Sequence, residues 1–322
     1  MLRYIIKRLL MVFFIVLCVV FVFFILLSTL PGAQIDSTPI YGDGDALDSA
    51  FAFFNVGDNL FFKYIRYCYN IAFHFDFGLS SARRHQVSDE LRARVRVTLI
   101  ILACSASASL AIGVSAGIFA AVRKDRFWDR IINVVTLFLS SIPNYAMAMV
   151  IVLLLCVYLR ILPMMLSKRS PIIFFMPTLV AMLGGVASIL RVTRASMLEV
   201  LEQPYITALR AKGLSEAGII YRHALKNALI PVVSSLGGFV SQMVCGTFVV
   251  ERYFNVEGLG LYMLSSVVMR SHYEMLGCAV VMAVILAVTN VAIDILYTII
   301  SPQIKLRHVK IRSEAYGKAN AA

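Results

Sequence analysis

The amino-acid sequence predicts an all-α integral membrane protein with six transmembrane helices. Three observations predict it. Of the 322 residues, 60% are hydrophobic, and the mean hydropathy is +0.83, whereas a soluble domain is about 45–50% apolar. The apolar residues gather into six runs, each long enough for a hydrocarbon core of roughly 30 Å. All 30 Lys and Arg residues lie outside those runs. The net charge of +12 is therefore explained by lipid headgroups and topology, not by nucleic acid.

Residues 1–30 read as an N-terminal transmembrane helix. Met1–Arg8 is basic, and Leu9–Leu30 follows without a charge. A signal peptide would have a shorter apolar core and an A-x-A-like site, so this is read as a retained span, ended by Leu30-Pro31-Gly32. Residues 31–96 form the longest polar region, an extracytoplasmic loop. Gly42-Asp43-Gly44-Asp45 lacks the ligand spacing and terminal Glu of a calcium loop and reads as a turn. Val87, Leu91 and Val95 recur every four residues against Asp89, Arg92, Arg94 and Arg96. That pattern predicts an interfacial helix leading into the second span.

Residues 97–304 hold five further spans. Val97–Val122 is rich in Ala, Ser and Gly, with Gly113 and Gly117 forming G-x-x-x-G, a pattern that lets helices approach closely in lipid. Ile131–Leu159 contains Pro143, which predicts a kink and a freed carbonyl near a pore. Pro171–Leu190 is the fourth span. The fifth, roughly Asn227–Val250, holds Pro231 and Gly237-Gly238. The sixth is Met275–Ile300. Pro143, Asn144, Gly237 and Gly238 are candidates to line a path. Asn290 and Asp294 share a helix face. Asp294 is an acid well inside a span, which suggests either a proton or ion site or a structural pair with Arg191 or Arg194 near the cytoplasmic surface. Its late position favours the pair. Lys305–Ala322 is a basic tail.

Five of the six cysteines lie in apolar runs, and no Cys/His cluster occurs, so neither a metal site nor a disulfide framework is predicted. The sequence also lacks G-x-x-x-x-G-K-[ST], G-x-S-x-G and H-E-x-x-H. No catalytic residue and no cofactor are predicted, and ATP chemistry is not expected in this chain.

Between the fourth and fifth spans, Arg191–Pro231 is basic and amphipathic, and Pro204 and Gly213 interrupt it. Pro204 suits the first turn of a helix. Gly213 can take positive φ and end that helix. Ser215 can cap the next, with Glu216 in its first turn. Helix, sharp turn, helix is the expected outcome, a knob larger than a simple connection requires.

This stretch resembles the cytoplasmic coupling loop of ATP-binding cassette (ABC) importer permeases of the dipeptide, oligopeptide and nickel group. The resemblance rests on Arg194, Ser196, Leu198-Glu199-Val200-Leu201, Gln203, Tyr205, Arg210-Ala211-Lys212-Gly213-Leu214-Ser215-Glu216, Arg222-His223-Ala224-Leu225-Lys226-Asn227-Ala228-Leu229 and Pro231. Three weaker segments extend it: His74–Ser80 is similar to F-x-F-G-x-S, Ser141-Ile142-Pro143 to S-x-P, and Val250–Gly260 to V-E-x-x-F-x-x-P-G-L-G. Thr207, Leu209, Ala33, Val97, Glu257, His272 and Glu274 depart from the group's usual residues; the last three are expected on the outer face.

The resemblance implies a type I ABC importer permease with a coupling helix inside the loop 196–228. Tyr205, Ala208, Arg210, Ala211, Lys212, Gly213, Leu214, Ser215 and Glu216 would meet an ATPase. It further implies two cytoplasmic ATP-binding subunits, a second permease, an extracytoplasmic solute-binding protein, and a location in a bacterial inner membrane. Short peptides are the implied solute, with nickel or other small solutes as alternatives. With both termini cytoplasmic, 18 Lys and Arg fall on inner segments and 12 on outer ones, as the positive-inside rule prefers. A stand-alone secondary transporter or channel would show inverted repeats or several intramembrane charges. An intramembrane enzyme would need a nucleophile–base set. Neither accounts for the basic loop.

Overall fold

The computed structural model describes residues 2–28, 60–80, 85–161 and 171–300. The expected end of the first span at Leu30-Pro31-Gly32, the Gly42–Asp45 turn and the basic tail lie outside the described residues. The long helices are α1 (Leu2–Ser28), α3 (Val87–Val122), α6 (Phe175–Leu201), α8 (Leu225–Tyr253) and α10 (His272–Ile300). Shorter ones are α2 (Leu60–Tyr69), α4 (Phe127–Ser141), α5 (Asn144–Val152), α7 (Pro204–Ala211) and α9 (Leu259–Val268). Five described helices are long and apolar enough to cross a membrane, or six when the bent pair 127–141 and 145–158 counts as one span.

Several boundaries differ from the sequence reading. α3 is one unbroken helix of 36 residues. The amphipathic stretch at Val87–Arg96 is its opening turns, not a separate interfacial helix, because Val87 and Leu91 are buried and nothing interrupts the backbone at Val97. α6 likewise runs past Leu190 to Leu201. The second helix of the knob has no end of its own: one turn at Glu216–Gly218 and π-helical turns at Ile219–Ala224 lead directly into α8. Pro143 does more than kink the third span. Ile142 is extended (φ −94°, ψ 124°), as a residue before proline prefers, and the helix divides into α4 and α5.

The chain forms two compact units. One comprises Met1–Ala103, Ala148–Thr178 and Met243–Val288; the other comprises Cys104–Met147, Leu179–Gln242 and Thr289–Ala322.

In the first unit α2 lies on α1. The Tyr64 hydroxyl donates to the Leu17 carbonyl at 2.9 Å, and its ring meets Phe21 and Phe24 edge-on. The segment 251–273, expected to be polar and outward, contains buried acids instead. Glu251, at the end of α8, is 0% exposed. It accepts the Thr98 hydroxyl at 2.7 Å and the Leu261 N–H at 2.8 Å. The Thr98 oxygen in turn accepts the Leu259 N–H at 2.8 Å. A carboxylate and a hydroxyl thus satisfy two N–H groups in the first turn of α9, the part of a helix whose donors lack internal partners. His272 and Glu274 are also buried, the latter accepting the Ser266 hydroxyl. Of Glu257, His272 and Glu274, the three expected on the outer face, Glu257 alone is exposed.

The second unit is built on close helix contact. A Cβ at Gly113 would press on Ile189, and one at Gly117 on Thr193. The G-x-x-x-G face of α3 therefore lies against α6, the packing that small residues permit in lipid.

Candidate functional site

In α7, the first helix of the knob, one side chain is fully buried and most of the others are exposed. Ile206 of α7 is 0% exposed and packs in a cluster with Ile118, Ala121, Met197, Ile219, Ala224 and Ala228. Around it Tyr205, Thr207, Ala208, Arg210 and Ala211 are exposed. One buried residue in an eight-residue helix fixes its orientation and leaves most of its surface free. Thr207 lies on that free surface, whereas Leu209 packs against the Ile206 cluster.

The turn is built as its residues dictate. Gln203 is extended and Pro204 occupies the first helical turn, where its missing N–H costs nothing. At the other end the N–H groups of Lys212 and Gly213 bond the carbonyls of Ala208 and Arg210. Gly213 has φ +78°, and no atom lies within 4 Å of where a Cβ would stand. Conformation, not space, requires glycine there. The Ser215 hydroxyl then accepts the Gly218 N–H at 3.3 Å, capping the following turn.

Two polar contacts brace the turn. Arg210 donates from Nε to Glu216 Oε1 at 2.7 Å and from Nη2 to Oε2 at 3.3 Å. The Arg210–Glu216 hydrogen bond holds the guanidinium pKa above its usual value. Both groups are exposed, so the pair shapes the turn more than it stabilises the fold. The Tyr205 hydroxyl accepts Asn227 Nδ2 at 2.9 Å, tying α7 to the start of α8. Of the expected coupling residues, Lys212 and Leu214 are exposed as well. The nine fall within residues 205–216, interrupted by the buried Ile206 and the packed Leu209, with the Gly213 turn among them.

Behind the knob lies a network that sequence reasoning missed. Asp129, 2% exposed at the start of α4, receives both arms of Arg194 from α6, Nε at 2.6 Å and Nη2 at 2.7 Å. It also accepts the Asp125 N–H at 3.0 Å and Asn133 Nδ2 at 3.1 Å. Lys124 meets Glu202, in the linker between α6 and α7, at 2.9 Å, and that hydrogen bond raises the Lys124 pKa. These pairs join the α3–α4 connection to the end of α6, from which α7 hangs. The expected pairing of Arg194 with Asp294 is corrected. The guanidinium fork is filled by Asp129, which stands directly opposite it. Arg191 donates to the Ser140 hydroxyl. Asp294 is half-buried on α10. The only sequence signal for Asp129 was an acid in the first turn of a helix, which is too common to single out.

The path candidates do not form one group. Gly237 is buried, and Ile293 stands 3.0 Å from where its Cβ would be, so it serves helix packing. Gly238 faces open space, and Pro143 is exposed. Asn144 opens α5; its side chain lies outside the described residues.

Comparison with known proteins decides what this architecture is. Residues 113–306 match the binding-protein-dependent transport system inner membrane component family. The chain belongs to that family. It is 33% identical over 308 residues to the dipeptide transport system permease protein DppB of Bacillus subtilis (strain 168), covering 95% of this chain and 99% of that one. It is also 33% identical over 312 residues to the glutathione transport system permease protein GsiC of Escherichia coli (strain K12), covering 95% and 100%. Among solved structures, the inward-facing MetNI methionine ABC transporter matches with a TM-score of 0.54 at 17% identity, over 66% of this chain and 96% of that chain. That likeness carries the fold alone, an all-α type I permease. The protein is an ABC importer permease, and the secondary-transporter and enzyme readings fall away.

Proposed function

We propose that this permease forms one half of a translocation path for di- and oligopeptides and couples it to a cytoplasmic ATPase through α7. The observation that carries the coupling is the contrast within α7: Ile206 is fully buried while Tyr205, Ala208, Arg210 and Ala211 are exposed. An element held to its own subunit by Ile206, Leu209 and the Tyr205–Asn227 hydrogen bond, with the rest of its surface open, can transmit a push from a docked partner. The docking face is Tyr205, Ala208 and Arg210 to Glu216. The Arg194–Asp129 and Lys124–Glu202 pairs would carry its displacement into α6 and the α3–α4 connection. Peptide as solute is supported by near full-length similarity to a dipeptide and a glutathione permease. The working complex holds this chain, a second permease, two ATP-binding subunits and a solute-binding protein. Both termini face the cytoplasm.

The test is a gentle-detergent purification of the tagged chain from its native membrane, with co-purifying subunits identified by mass spectrometry. An ATPase and a second permease are expected with the wild type. The ATPase should be lost with Ile206→Asp, which places a charge in the apolar anchor. Recovery of the chain alone, moving solute after reconstitution without ATP, would overturn the proposal.

A further inference from the structure

The second unit carries a polar wall on otherwise apolar helices. On α6, Ser188 and Arg191 share one accessible face, and on α8 Ser234, Gly238 and Gln242 do the same at helical spacing. The Ser188 and Ser235 hydroxyls lie 3.3 Å apart and join the two helices. Accessible hydroxyls, an amide and a guanidinium along spanning helices do not suit lipid; such groups face water or the interior of a bundle. Arg191 supplies charge to this wall. It is exposed, and among the described residues its partner is the Ser140 hydroxyl, with no carboxylate beside it. The Ser140 proton is directed to the Thr136 carbonyl at 2.7 Å, so the Ser140 oxygen accepts from Arg191, and the rest of the guanidinium N–H groups stay open to a ligand. Arg194, on the same helix, is neutralised by Asp129. An arginine turned to lipid would reach for the charged membrane surface. Arg191 instead reaches Ser140, eleven residues past Asp129 in sequence and about 16 Å along α4, beside the break at Pro143.

We infer that Arg191 receives the C-terminal carboxylate of a peptide in transit and is a specificity-determining residue of the path, which rests on the proposed function in taking the solute to be a peptide. The planar guanidinium offers paired N–H donors to a carboxylate. Its bond to Ser140 holds it in place before a ligand arrives, which lowers the ordering cost of binding. Every unmodified peptide ends in a carboxylate whatever its side chains, so one fixed cation serves a mixed population of di- and oligopeptides. Arg191 stands about one helical turn before Arg194 on α6, the helix from which α7 hangs, so the contact lies on an element that a docked ATPase would move.

The experiment uses the assembled transporter in lipid nanodiscs without solute-binding protein. Ala-Phe and its C-terminal amide are titrated by ligand-observed saturation-transfer NMR. Wild type should bind the free acid roughly tenfold more tightly than the amide, the scale of one lost charge-assisted hydrogen bond. Arg191→Gln should remove that preference. Arg191→Lys should keep part of it, because the charge remains while the fork is lost. Ser140→Ala should reduce it without abolishing it. Equal binding of the two peptides by wild type, or a preference unchanged in Arg191→Gln, would overturn the assignment. Loss of the second permease from the purified Arg191→Gln complex would also overturn it, by marking Arg191 as a contact between subunits. Uptake of Ala-Phe by wild type with the binding protein present tests the solute separately. Its absence would remove the peptide reading and this role of Arg191 together, whereas normal uptake without a carboxylate preference would remove the role of Arg191 alone.

Discussion

Arg194 holds the buried carboxylate of Asp129 with both arms of its guanidinium, Nε at 2.6 Å and Nη2 at 2.7 Å, across 65 residues of sequence. The planar fork matches a carboxylate as no lysine can. Asp129 accepts two further donors, Asp125 N–H and Asn133 Nδ2. It is the hub where α4, α6 and the α3–α4 connection meet.

Asp129→Asn leaves the Arg194 charge without its partner and turns an acceptor into a donor beside other donors. Removing one member of such a buried pair costs about 3 kcal/mol. The variant should therefore melt at a lower temperature in detergent and lose uptake more than ATPase binding, since the docking face itself is untouched. A charge exchange, Asp129→Arg with Arg194→Asp, should not rescue it, because the Asp125 N–H and Asn133 would then face a cation. Thermal unfolding of the purified chain and uptake in vesicles check both statements.

Gly213 tests the turn by backbone conformation alone. At φ +78° in open space, Gly213→Ala and Gly213→Val should cost about 1–2 kcal/mol in the left-handed conformation. Gly213→Asn should be tolerated, because Asn visits that region readily. Insertion should be normal in all three, with ATP-driven uptake falling in Ala and Val and surviving in Asn. Equal uptake by the Val variant would show that the turn does not govern coupling.

Gly258 is the opposite case. Its φ is −95°, which any residue adopts, but a Cβ there would overlap the Glu251 carboxylate. Gly258→Ala should destabilise by about 1–3 kcal/mol through overpacking. Thr98→Val removes the hydroxyl that both donates to Glu251 and accepts the Leu259 N–H. The cost should be about 1–3 kcal/mol for each buried group left unsatisfied. A lower melting temperature is expected in both variants, and ATPase co-purification should persist because α7 belongs to the other unit. The Val-Glu and Gly-Leu-Gly parts of the segment thereby gain a physical reason: Glu251 caps α9, Gly258 makes room for that carboxylate, and a Cβ at Gly260 would strike Phe248.

By itself the sequence determined the membrane class, the number of apolar runs and the local grammar of the knob. Hydropathy, a proline at a helix start, a glycine at positive φ and a serine cap depend only on residues near in the chain. Gly113 and Gly117 likewise announced a close helix contact, though not that α6 would fill it. Tertiary structure decided the rest. Arg194 takes Asp129, not Asp294, because pairing is set by which groups the packed helices bring face to face. Glu251, Glu274 and His272 looked like outward polar residues, yet they are buried, since their neighbours in space supply the partners or the cover that make burial tolerable. The continuity of α3 through Val97, the extension of α6 to Leu201 and the division at Pro143 were also beyond local signals. A helix continues or stops according to what its flanks pack against, and that is a property of the folded chain.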